Sequence, residues 1–437
     1  MRITPLEDWI LERTHLATKS QEALRAYQLE KIRKTLYYAK EKSRFYNEQL
    51  KETDLNSITS LSDFEQIPFT TPLDIKRHAH DFLCVSAHEV ERIVTLNTSG
   101  TTGDEKRLFF THEDLEETID FFQYGMNCLV EKGDKVMVLL PGSAFGSIGD
   151  LLKKALWRSG IECVVHGVLQ DVLQDVEKVA ACIEEHHITC IVGIPMQVRY
   201  LSLMKPELFN THIQKVLLST DYVPDALVKT LSRNGTCKVF NHYGMTEMGY
   251  GGGVECGCLN GYHLRENHLY FEIIDPVTGK RVSDGEYGEV VFTTLNRQAM
   301  PLIRYKTGDT ARFVTKPCGC GTFLRTMEKV RGRMENNVII NAHEVSLRDL
   351  DEIILANDAV MDYRAHCDEK KALHVKLIVS KTAEIQTLQK ALYQAMDAHF
   401  KGVFTLNIDA LEDDGSSKIT NSMIKRKIDT GKMEMRV

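Results

Sequence analysis

The segment Thr98-Ser99-Gly100-Thr101-Thr102-Gly103-Asp104-Glu105-Lys106 gathers two glycines, four hydroxyls and a lysine within nine residues. Glycine lets backbone N–H groups approach an anion closely, and hydroxyls beside a flexible ammonium add further donors. That chemistry suits phosphate, although a Gly/Ser/Thr run taken alone also reads as a flexible loop. No Gly-Lys-Ser/Thr step closes the segment, which excludes the Walker pattern. Cysteine supplies a second candidate site: Cys256-Gly257-Cys258 precedes His263, and Cys318-Gly319-Cys320 follows later. Two Cys-x-Cys pairs around a histidine offer enough soft and imidazole ligands for a closed tetrahedral Zn²⁺ site. Four protein ligands leave no open position, so such a site is structural.

The elements that must position these groups follow from the patterning. Leu24 to Leu50 is charged, free of Gly and Pro, and apolar every three to four positions, which predicts an amphipathic helix. From about Val90, β-rich runs alternate with helical ones: ERIVTLN ahead of the glycine loop, HEDLEETIDFFQYGMNCLV after it, then KVMVLLP, GDLLKKALWRSG, ECVVHG, VEKVAACIEEH, TCIVGIP, VLLST, DALVKTLSRNG and KVFNHYG. The loop is thus placed after a strand and before a helix. The alternation predicts an α/β fold with mostly parallel sheets flanked by helices. After Tyr262 strand follows strand, HLYFEIID and GEVVFTTL around Pro276–Gly279, which predicts a β-rich appendage. The tail from about Glu335 reads as a small α+β unit: NVIIN, SLRDLDEIILAN, ALHVKLIVS, TLQKALYQAMDAHF.

A chain of 437 residues exceeds one ordinary core at roughly 100–200 residues per domain. The net charge of −7 argues against a nucleic-acid or anionic-membrane partner. No stretch approaches the ~20 apolar residues of a membrane helix, and the start, MRITPLEDWILERTH, does not read as a signal peptide. Eleven cysteines, an odd count mostly scattered singly, fit reduced thiols in the cytoplasm.

In register along nearly the whole chain, the sequence resembles the phenylacetate–CoA ligase-like family of the adenylate-forming superfamily. The glycine loop matches that family's phosphate loop. QLEKIRKTLYYAKEKSRFY and LSDFEQIPFTT look like its leader, and His263–Asn267 with Phe271–Pro276 like a strand-and-turn segment. Asn241-His242-Tyr243-Gly244-Met245-Thr246-Glu247 resembles its second motif, Pro301–Asp309 a third, and Lys329-Val330-Arg331-Gly332-Arg333 the motif before a hinge. The resemblance implies that Thr98, Ser99, Gly100, Thr101, Thr102, Gly103 and Lys106 bind phosphate. It implies that Tyr243 and Gly244 pack on adenine, that Thr246 meets the α-phosphate, and that Asp309 and Arg333 reach the ribose. Glu247 would hold Mg²⁺, as a hard cation prefers carboxylate oxygen.

Relatives carrying Cys-x6-His followed by Cys-x-Cys select Cys256, His263, Cys318 and Cys320 as the zinc ligands and leave Cys258 spare. The implied architecture is a large N-terminal domain, 1–334, with leader helices 1–89, an α/β core 90–255 and a β-rich zinc-bearing part 256–334. A small mobile α+β C-terminal lid, 335–437, completes it.

The implied activity is ATP-dependent activation of a carboxylic acid, aryl or similarly compact, through an acyl-adenylate to CoA, with AMP released. An acyl-adenylating enzyme that loads a carrier protein or other nucleophile is the alternative, as is a nucleotide-binding homologue with weakened catalysis. A homodimer is the default assembly. The sequence departs from the family twice. Met423 stands where relatives place a catalytic lysine, which makes Lys418 the candidate for that role. Asn341-Ala342-His343-Glu344 replaces a glycine-containing loop that closes over pantetheine.

Overall fold

The helix-favouring run from Leu24 to Leu50 folds as two helices, Gln21–Lys42 and Arg44–Gln49, because Ser43 breaks it. The Ser43 backbone N–H closes the first helix on the Ala39 carbonyl at 2.9 Å, and its hydroxyl accepts from the Tyr46 N–H at 3.3 Å. Leu24, Gln28, Ile32, Thr35, Leu36 and Ala39 form the buried stripe of the longer helix. The computed structural model describes residues 4–96, 105–170, 172–413 and 426–430. Among them, no helix is long and apolar enough to cross a membrane.

Two compact units divide the chain. The first comprises Met1–Lys132, Ala144–Ile161 and Asn241–Val330; the second comprises Gly133–Ser143, Glu162–Phe240 and Arg331–Val437.

In the first unit, Arg92–Leu96 pairs antiparallel with Lys106–Phe110, and helix His112–Met126 follows. The element after the glycine loop is therefore a strand, not the expected helix. Leu108, Phe109 and Phe110 are all buried, and bulky apolar and aromatic residues favour that extended run. Thr111 then starts the helix with a capping box on Asp114. The β-rich expectation after Tyr262 is met by an antiparallel sheet of Leu269–Ile274, Gly288–Thr294 and Tyr305–Ala311, in that order. Asp275 shapes the first turn by accepting from the N–H groups of Val277 at 3.0 Å and Thr278 at 2.7 Å. Along Tyr305–Ala311 the buried residues alternate, so Tyr305, Thr307, Asp309 and Ala311 share one face.

In the second unit, Lys135–Leu139, Glu162–Val165, Cys190–Gly193 and Lys215–Leu218 pair in parallel, with helices such as Val172–His186 and Pro195–Met204 between them and Asp225–Ser232 after the last. This is the α/β pattern that the alternation predicts. Its C-terminal part adds the hairpin Val360–Cys367 and Leu373–Val379, extended in parallel by Leu406–Glu412 on one side and Ile428–Thr430 on the other. Buried Arg199 joins the two parts, donating to the carbonyls of Val360 at 2.6 Å, Asn357 at 3.2 Å, Met361 at 3.4 Å and Leu355 at 3.4 Å. Glu352 caps helix Asp225–Ser232 by accepting from the N–H groups of Asp225 at 2.7 Å and Ala226 at 2.9 Å.

Candidate active site and metal centre

Strand Lys238–Tyr243 delivers Tyr243 to a tight turn that ends at Tyr250. Only glycine fits at Gly244, where a Cβ would lie 2.1 Å from the Tyr250 carbonyl oxygen. The turn closes on itself: Tyr250 N–H donates to the Met245 carbonyl at 2.9 Å and Gly249 N–H to that of Thr246 at 3.0 Å, with Gly249 at φ +70°. Half-buried Thr246 and buried Glu247 are thereby fixed side by side.

Three donors converge on Glu247. Lys106 Nζ lies 2.5 Å and the Tyr305 hydroxyl 3.0 Å from Oε1, while Arg297 Nη2 donates to the backbone carbonyl at 3.3 Å. Lys106 Nζ also donates to the Tyr305 hydroxyl at 3.2 Å. Burial alone raises a carboxyl pKa, but the Lys106 ammonium and the two side-chain hydrogen bonds outweigh it and hold Glu247 below its ordinary value. The result is an ionised, buried carboxylate beside a cation. A divalent ion entering such a pair meets the carboxylate and a phosphate meets the ammonium, so each incoming charge finds an opposite one already in place.

Nearby, the Tyr243 hydroxyl donates to Asp309 Oδ2 at 3.0 Å, and its ring stacks on Tyr262 with centroids 5.7 Å apart. Asp309 is buried, and its backbone N–H is held by Thr307 Oγ1 at 3.0 Å. Arg304, at φ +47°, makes a bidentate pair with Glu272 at 2.9 and 3.2 Å and donates to the Ile67 carbonyl at 2.8 Å. It ties the leader segment to the strand that carries Tyr305 and Asp309.

The sequence did not single out Tyr305, Arg297 or Tyr262. Tyr305 lies within Pro301–Asp309 and its same-face spacing with Asp309 is readable; Arg297 and Tyr262 give no local signal. Arg333 is half-buried and belongs to the second unit. Thr98, Ser99, Gly100, Thr101, Thr102, Gly103, Lys418 and Met423 lie outside the described residues.

Cys256, His263, Cys318 and Cys320 are all buried, and one ligand atom of each lies within 4.8 Å of the others. Sγ of Cys256 and Cys318 are 3.7 Å apart, and Cys320 Sγ is 3.4 Å from His263 Nε2. An ion with metal–sulfur bonds of about 2.3 Å in tetrahedral geometry sets its sulfurs about 3.8 Å apart, so the four side chains fit one. Thr326 Oγ1 lies 3.5 Å from the other ring nitrogen, Nδ1, and orients the imidazole. Burial pushes His263 down to about 4, which keeps it in the neutral, metal-binding form. Cys258 is half-buried at the edge, and its backbone N–H donates to Cys256 Sγ at 3.4 Å.

The sequence signature of the AMP-binding enzyme family matches residues 15–296. The phenylacetate–coenzyme A ligase of Thermus thermophilus is 28% identical over 366 residues, covering 80% of this chain and 79% of that protein. The Pseudomonas putida enzyme of the same name is 28% identical, covering 78% and 77%. In fold, 2-hydroxyisobutyryl-CoA ligase in its postadenylation state is similar with a TM-score of 0.82 at 16% identity, covering 95% of this chain and 91% of that one. The glycine-locked turn, the Lys106–Glu247 pair and the match across most of the length have one reading: this chain belongs to the AMP-binding enzyme family, as a phenylacetate–CoA ligase-like adenylate-forming enzyme.

Proposed function

We propose that the chain joins a compact, aryl-type carboxylic acid to CoA in two steps. The substrate carboxylate attacks the α-phosphorus of ATP and pyrophosphate leaves; the CoA thiol then attacks the acyl carbon and AMP leaves. The observation that carries this reading is the buried Glu247 carboxylate held by Lys106 and Tyr305 at the end of the glycine-locked turn. Positioning and charge neutralisation do most of the work in such a transfer. Lys106 is poised to move from the carboxylate to phosphate oxygens as the triphosphate enters. Mg²⁺, held by Glu247, supplies further neutralisation when bound. Thr246 contacts the α-phosphate, Tyr243 the adenine, and Asp309 with Arg333 the ribose; the phosphate loop 98–103 grips the remaining oxygens. Lys418 is assigned to the site from the C-terminal segment, which turns about a hinge near Glu335 between the two steps.

Zinc on Cys256, His263, Cys318 and Cys320 ties strand Tyr262–Leu264 to the 318–320 turn and takes no part in the chemistry. None of the eleven cysteines is in a disulfide, in keeping with a reducing compartment and a cytoplasmic location. Met423 favours a second reading, a nucleotide binder with weakened turnover; the acceptor could also be a carrier-protein thiol.

Acid-dependent ATP–pyrophosphate exchange across a panel of aryl and short-chain acids tests the proposal. Exchange with an aryl acid, followed by AMP release only when CoA is added, is expected. Silence with every acid would favour the nucleotide binder, and AMP release driven by a carrier protein but not CoA would replace the acceptor.

A further inference from the structure

A cavity of about 130 Å³ opens in the first unit, away from the Glu247 site, between the long leader helix and the β-rich part; Gln21, Arg25, Gln28, Glu266, Arg281 and Arg325 are among its walls. Its charge is unbalanced. Arg325 carries its own partner, Asp284, outside the lining, which leaves Arg25 and Arg281 against the single lining carboxylate of Glu266. The neighbouring carboxylates are already committed. Asp284 accepts from Arg325 Nη2 at 2.6 Å, Glu272 is taken by Arg304 at 2.9 Å, and Glu266 Oε2 accepts from the Arg325 backbone N–H at 3.1 Å. Arg325 is further fixed 3.3 Å above the Phe313 ring. Arg25 and Arg281 have no carboxylate within 4 Å among the described residues; Arg25 is exposed, and Arg281 and Arg325 are half-buried. The cavity volume equals the share of about four liquid waters at ~30 Å³ each. That admits a tetrahedral oxyanion. Planar guanidiniums are the side chains best matched to phosphate oxygens.

We propose that this cavity is a second, non-catalytic anion site, which takes a phosphate dianion, free or as the terminal monoester of a small molecule, on Arg25, Arg281 and Arg325. The site is independent of the nucleotide reading, because none of its residues belongs to the Glu247 cluster.

The test titrates inorganic phosphate, and separately glycerol phosphate, into the full-length protein by calorimetry. AMP is kept saturating and ionic strength is held constant with chloride. One phosphate per chain is expected, with affinity falling about tenfold or more in Arg25→Gln/Arg281→Gln, while ATP–pyrophosphate exchange measured without phosphate stays unchanged. Glycerol phosphate binding in the same way identifies a monoester site, and its exclusion identifies free phosphate. Should the double variant fold poorly, Arg25→Gln alone, at an exposed position, carries the comparison. Heat identical to a chloride blank, or phosphate affinity unchanged by the substitutions, overturns the proposal. Failure of AMP itself to bind bears on the nucleotide reading and leaves the phosphate comparison intact.

Discussion

Lys106 and Glu247 have side chains only 12% and 6% exposed, so each is the other's solvent. Removing one partner strands a buried charge, and the cost of doing so is about 3–5 kcal/mol. Lys106→Met should therefore lower unfolding free energy by that order in a urea titration, and Lys106→Met/Glu247→Gln should recover most of it. Both variants should lose exchange activity. The pH dependence follows from the depressed Glu247 pKa. A carboxyl whose folded value lies below its unfolded value stabilises the fold fully above the ordinary carboxylate range, about 4.3, and loses that contribution as pH falls through the folded value. The stability gap between wild type and Glu247→Gln should hold at neutral pH and close in acid, as followed by urea midpoints from pH 7 to pH 3. The sequence made Lys106, Glu247, Tyr243 and Asp309 legible because each sits in a short local motif. Arg297 was not legible, since its hydrogen bond to the Glu247 carbonyl spans fifty residues and exists only once the fold has formed.

At the next scale, the turn from Gly244 to Tyr250 is backbone holding backbone. Gly244→Ala would push a methyl into a carbonyl that has nowhere to go. It should cost about 1–3 kcal/mol in thermal unfolding and displace Thr246 and Glu247 enough to slow exchange on the order of 100-fold. The metal centre makes a separate prediction about the strands it joins. Elemental analysis should find one zinc per chain, lost in Cys256→Ser and Cys320→Ser but kept in Cys258→Ser, and chelation should lower the melting temperature of the wild type and Cys258→Ser but not of the two zinc-free variants. Zinc retained in Cys320→Ser would refute the four-ligand assignment. Most strands were readable from their apolar runs. Val360–Cys367 carries the period-two signal as well, since Met361, Tyr363, Ala365 and Cys367 alternate with Asp362, Arg364 and His366; that Asp362 on the polar side is nonetheless fully buried is a tertiary arrangement no local rule encodes. The strand at Lys106 was hidden: the helix signal beginning at His112 masked a five-residue run before it.

Across the molecule, the second unit owes its cohesion to Arg199, which reaches four carbonyls of the C-terminal part, and to Glu352. The proposed turn of that part about Glu335 would break these bonds. Arg199→Met should therefore weaken the attachment: single-turnover adenylation slows about tenfold, while thiol transfer from preformed acyl-adenylate is spared. Equal slowing of both steps would show that the C-terminal part does not detach. Composition and motif order had made the α/β class and the family visible, but not this buried arginine, whose role depends on carbonyls more than 150 residues away. Neither unit is one continuous stretch of chain: the first is completed only at Val330, and the second begins at Gly133 yet needs Ile428–Thr430 for its sheet. On the ribosome, then, no early core can close and shelter the nascent polypeptide. Most of the protein must emerge before any of it is finished, so this interleaving adds to the chaperone demand that length already sets during synthesis.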